Sequence, residues 1–103
     1  MILTAADLAQ TVATPGTAVA LSSTPKVVTY LLLQAKKVGG DNTGNVFLGI
    51  STVDQSTRQI IEMAPGDVWE PEIHKGDSIN LADIYIDAAT AADGVTGFTL
   101  ARE

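Results

Sequence analysis

The sequence predicts an all-β domain: an antiparallel β-sandwich, jelly-roll-like, with seven to eight strands. Three observations predict it. Turn signals built on Pro, Gly, Asp and Asn recur every 8 to 12 residues or so. Short apolar or alternating runs lie between them, and helical periodicity is almost absent. The composition, 46% apolar and 17% charged, suits a compact chain, and 103 residues suit a single core.

The start is the one exception. Thr4-Ala5-Ala6-Asp7 has the spacing of a capping box, with Leu3, Leu8 and Val12 nearby. Residues 4–11 therefore read as one or two helical turns, or as an arm that orders against a partner, with a strand or helical turn packed on its own domain as the alternative. This divides the chain into an N-terminal arm or short helix, 1–13, and a β-sandwich domain, 14–103. Pro15-Gly16 ends the arm.

Thr17 to Leu21 reads as a strand, and Pro25 resets the chain. Val27 to Lys36 is a long strand, apolar on both faces at Leu31, Leu32 and Leu33, which predicts a central position covered on both sides. Asn45 to Ser51 follows, with Val46, Leu48 and Ile50 on one face and Phe47 breaking the alternation. Arg58 to Met63 is next. Val68 to Ile73 reads as an edge strand, because Pro71 cannot donate to a ladder. Ile79 to Ala88 ends with Ile84, Ile86 and Ala88 inward and Asp83, Tyr85 and Asp87 outward. Val95 to Ala101 closes the chain with Phe98 and Leu100 on one face, Phe98 reading as buried.

The stretch VGGDNTGNVFLGIS, residues 38–51, poses the functional question. A phosphate-binding loop needs a strand, a glycine-rich turn, then a lysine and a helix. Here Lys36 and Lys37 precede the glycines, and a strand follows. A calcium loop needs acids at alternate positions, and Asp41 is the only acid between Lys26 and Asp54. The stretch reads as a wide hairpin loop with an exposed, mobile tip.

Other chemistry-bearing residues are scattered. There is no cysteine, which excludes disulfides and thiolate metal sites. His74 is the sole histidine, too few for a cupin-type metal set, and no nucleophile elbow accompanies it. Glu70 and Glu72 read as an acidic edge, and Asp83 and Asp87 beside Tyr85 as a solvated face. The sequence thus assigns no catalytic residue, cofactor or metal, and the chain reads as a non-enzyme.

Charge is uneven. Residues 1–53 hold two acids and three bases; residues 54–103 hold ten acids and three bases, within a net charge of −6. Such a chain repels phosphates, so nucleic acid is not an expected partner. No apolar run reaches the roughly 18–20 residues of a membrane helix, and the N-terminus lacks the basic start of a secretory signal. The aromatics are Tyr30, Phe47, Trp69, Tyr85 and Phe98. Trp69, between acids and beside Pro71, reads as exposed: a platform for a sugar ring or an anchor in a protein interface.

The stretches "MAPGDVWEPEI" and "KGDSINLADIYIDAATAADGVTGFTL", with "TPGTAVALSS", "TYLLLQAKK" and "GNVFLGIS" upstream, resemble small virion proteins of tailed bacteriophages. The resemblance covers roughly residues 14–101 and lies in cadence, at folding positions such as Pro65, Gly66, Ile84, Tyr85, Asp93 and Gly94. It implies a capsid decoration (cement) protein on the virion surface, seated as a homotrimer on the major capsid protein or another virion protein. The other reading is a head-fibre or tail module that binds glycans or a host surface. Ile2, Leu3, Leu8, Val12 and Trp69 are the interface residues the sequence puts forward.

Overall fold

The computed structural model describes residues 2–36, 42–56 and 60–102. It is an all-β antiparallel sandwich. Its strands are β1 (Leu3–Thr11), β2 (Val19–Ala20), β3 (Val27–Val28), β4 (Tyr30–Ala35), β5 (Val46–Gly49), β6 (Ile61–Met63), β7 (Val68–Trp69), β8 (Ile79–Asn80), β9 (Tyr85–Ala88) and β10 (Gly94–Arg102).

One sheet, here sheet A, runs β1-β10-β4-β7; the facing sheet B runs β2-β9-β5-β6; β3 and β8 form a small ladder of their own. With β3 and β8 set aside, eight strands remain. First pairs with last, second with seventh, third with sixth and fourth with fifth. That nested pairing is a jelly roll.

The N-terminal segment corrects the sequence expectation. Residues 3–11 are not helical. They form a nine-residue strand, paired with β10 from Leu3↔Arg102 to Thr11↔Gly94. The capping-box spacing loses because one helical turn closes few hydrogen bonds, whereas the ladder satisfies the strand along its length. Burial in β1 alternates, with Ala6, Leu8 and Gln10 turned inward. Val12 follows at 0% exposure, held by hydrogen bonds from its N–H to the Asp93 carbonyl and from the Ala92 N–H to its own carbonyl.

Two long strands foreseen in the sequence are broken. At Thr29 both the backbone N–H and Oγ1 donate to the Leu100 carbonyl, and the chain switches from the β3–β8 ladder into sheet A. At Asn80 the side-chain oxygen accepts from the N–H groups of Ala82 and Lys26, capping a 3-10 turn, Leu81–Asp83. β7 lies at the end of sheet A, but it stops at Trp69, so the expected strand to Ile73 is shortened and Pro71 lies beyond it.

The core lies between the sheets. Leu31, Leu33 and Ala35 of β4 and Val95 of β10 face Val46, Leu48, Ile86 and Ala88 of sheet B, all at 0–1% exposure. Trp69 stands opposite Leu33 and packs on this core, half-buried, so the exposed platform expected of it is corrected. Ile50 is also corrected: the strand ends at Gly49, and Ile50 is exposed at a turn closed by the Val53 N–H on its carbonyl.

The stretch 38–51 is not a hairpin, because β4 and β5 belong to different sheets. Its tip, residues 38–41, lies outside the described residues. The part that follows is pinned. Asn42 is 1% exposed and exchanges two hydrogen bonds with the Gly94 backbone, at 2.8 and 2.9 Å. The N–H groups of Thr43 and Gly44 donate to the Asp93 carboxyl at 2.9–3.2 Å. The glycine-rich loop does hold an oxygen acid, and that acid is the chain's own Asp93.

Candidate functional site

The two sheets differ in what covers their outer faces. On sheet B, Phe47 and Asp87 stand side by side on the outer face, yet are 4% and 0% exposed. Two loops reach over Asp87. Gly16 donates its N–H to Asp87 Oδ1 at 3.0 Å, and Gln55 donates its own to Oδ2 at 2.8 Å. Val53, 3% exposed, lies in the second loop. Asp87 is therefore a buried staple, which corrects its expected place on a solvated face; Asp83, in the 3-10 turn, is exposed.

Sheet A has no such cover among the described residues. Its register sends Tyr30 and Leu32 of β4 to the outer face, opposite Leu100 and Phe98 of β10. Val68 of β7 stands beside Gln34 on that same face, and Leu3 of β1 extends it. Phe98 is 37% exposed, Val68 57% and Leu3 46%, and the Tyr30 and Phe98 rings lie 5.5 Å apart at a 40° tilt. The expectation that Phe98 is buried is corrected. So is the expectation of cover on both sides of β4: sheet B covers the inner face alone.

An acidic cleft adjoins this face, lined by Thr29, Tyr30, Glu70, Pro71, Glu72 and Ile73. The Tyr30 hydroxyl donates to the Glu70 carboxyl. This hydrogen bond, with some burial and the nearby Glu70 charge, raises the Tyr30 phenol above its ordinary value. The contribution is present below the ordinary phenol pKa and is lost as pH rises through the raised value. Replacing Glu70→Gln should move the Tyr30 ionisation down, read as phenolate absorbance in a spectroscopic pH titration. An unmoved midpoint would mean that Glu70 does not set it.

His74 is exposed and sits in a turn closed by the Asp77 N–H on its carbonyl, outside this cleft. Among the described residues, no three His, Cys, Asp or Glu side chains gather as a metal site. Among the described residues, no helix is long and apolar enough to cross a membrane.

Of the interface residues put forward from the sequence, Ile2 (72% exposed) and Leu3 reach the surface. Leu8 is half-buried on the inner side of β1, Val12 is core, and Trp69 faces inward. Val12 and Trp69 thus contribute packing rather than an accessible contact. The residues missed are Tyr30, Leu32, Phe98, Leu100 and Val68. For Tyr30, Leu32, Phe98 and Leu100 the signal was the apolar content of residues 27–33 and 95–101; Val68 carried none of that signal.

No protein-family model matches the chain, and neither a curated protein nor a solved structure matches it.

Proposed function

We propose that the protein is a non-enzymatic structural component of a tailed-phage virion, a decoration protein that binds and stabilises the capsid shell in many copies, as a homo-oligomer. The observation that carries this reading is the uncovered apolar face of sheet A, beside a sheet B that the chain covers with its own loops. A contiguous exposed apolar surface marks a contact site more often than a free one, and aromatic residues are enriched in such contacts. Repetition on a shell multiplies a modest contact into firm attachment. The jelly roll is compatible with this role, although the same architecture serves lectins and cupins.

The test is co-sedimentation with purified shells, comparing the intact chain with Phe98→Lys and Leu32→Lys. Removing residues 1–13 would strip a whole strand from β10, so outer-face substitutions are the cleaner variants. Each should weaken attachment about tenfold or more, the scale of one lost apolar anchor with a buried charge in its place, while the melting temperature stays near that of the parent. Attachment at parental strength in both variants would remove the proposal's basis.

A second reading draws on one observation, the paired Tyr30 and Phe98 rings beside Glu70, which offer stacking and a hydroxyl acceptor to a sugar. Melts with simple saccharides at millimolar concentration separate the two. The decoration reading expects no shift; a saturating upward shift favours the glycan module.

A further inference from the structure

We infer that two copies of this chain associate edge to edge through β1, in antiparallel register about a two-fold axis at Ala6. β1 is the outermost strand of sheet A, and no described strand lies beyond it. In an antiparallel ladder, successive residues direct their N–H and C=O groups to alternate sides. Val12 bonds the turn leading into β10 through both its N–H and its carbonyl. Counting back by twos, Gln10, Leu8 and Ala6 face β10. Leu3, Ala5, Asp7 and Ala9 turn their backbone groups to the open edge.

Edge strands are usually blunted by lysine, proline, a bulge or short length. β1 has nine residues in unbroken register and contains neither lysine nor proline. Its inner side is incompletely covered: Leu8 packs on the core yet is only half-buried, unlike Leu31 and Leu33 at 0%.

Charge selects the occupant and the register. The opposite margin of the sandwich, at β6 and β7, carries exposed Glu62, Asp67, Glu70 and Glu72 and would repel its own copy. β1 carries a single charge, Asp7, and its neighbour across the sandwich, β2, carries none. Pairing with Asp7 on the axis would oppose two carboxylates. A shift of the axis to Ala6 places Asp7 opposite Ala5 and Leu3 opposite Ala9. Thr4 then lies against the partner's Leu8 and covers it. The two copies form one continuous sheet, and their apolar outer faces join. A two-fold pair takes the place of the trimer that the resemblance implies.

The experiment is sedimentation equilibrium of the full chain across a concentration series, with three variants. The parent should reach twice the monomer mass. Ala5→Pro removes an N–H aimed at the open edge and leaves the β10 ladder intact. It should weaken the dimer about tenfold or more with the melt of the monomer retained. Ala6→Cys places the only thiol of each chain on the axis, where facing Cα atoms would lie roughly 4.5 Å apart, within disulfide reach. Oxidation should give a covalent dimer. Ala9→Cys, whose two copies would lie roughly 20 Å apart, should not cross-link. A monomer at every concentration, a trimer, a dimer indifferent to Ala5→Pro, or cross-linking of Ala9→Cys in place of Ala6→Cys would overturn the inference. None of these outcomes bears on shell attachment, which is read separately.

Discussion

Replacing Gly97→Ala should destabilise the fold by about 3 kcal/mol or more. Gly97 lies midway along β10, opposite Leu8 on one side and Leu33 on the other. A Cβ there would stand 1.8 Å from the Leu32 carbonyl oxygen and 2.9 Å from its carbon. The obstacle is backbone within the β10–β4 ladder, so no side chain can swing aside. Relief requires the two strands to separate where sheet A packs on the core. For a domain of this size the melting temperature should fall by roughly 12–24 °C. Gly16→Ala is the control. Gly16 has φ of +91° with nothing within 4 Å of the added carbon, so that substitution meets conformational strain alone. It should cost only about 1–2 kcal/mol. Urea unfolding of both variants decides the matter. Equal losses would mean that the close approach at Gly97 is not what makes glycine necessary.

Replacing Asp87→Ala should cost about 2–4 kcal/mol. The side chain is 0% exposed and receives the N–H groups of Gly16 and Gln55. Removal strands two donors under partial cover and unfastens both loops from sheet B. The loss should therefore show in two ways: a lower unfolding midpoint, and faster amide hydrogen exchange at Gly16 and Gln55. Asp87→Asn keeps one acceptor oxygen but turns an NH2 toward the other donor, so it should lose about half as much. If alanine and asparagine leave stability unchanged, the carboxyl is not fastening the loops.

Much of the architecture was legible from local chemistry. The turns at Pro65-Gly66-Asp67 and Lys75-Gly76-Asp77 close as their residues require, with Gly66 and Gly76 at φ near +91° and +92°. The segment from Val68 reads as an edge strand and β7 lies at an edge, although it ends at Trp69, before Pro71. The two-sided apolarity of Leu31-Leu32-Leu33 marked a central strand of sheet A. It could not say whether the second cover comes from the chain itself, because a strand records what each face tolerates and not what lies against it.

The candidate site was less legible. Phe98 reads as core by hydrophobicity, and its outward turn follows from a register that pairs it with Leu32. Asp87 reads as solvent-facing by alternation, and it is outward-facing on its sheet; only the loops folded over that face bury it. Trp69 reads as exposed from its acidic neighbours, yet it stands opposite an inward leucine.

By itself the sequence determined the class: strand-length apolar runs between turn residues admit an antiparallel sandwich and leave no helix long enough to compete. Tertiary structure decided what could not be local. It drew residues 3–11 into a ladder with the last strand, turned Thr43 and Gly44 onto Asp93, and, among the described residues, laid loops over sheet B but not over sheet A. Each of these outcomes depends on a partner distant in the chain, and periodicity along one segment carries no information about which partner that will be.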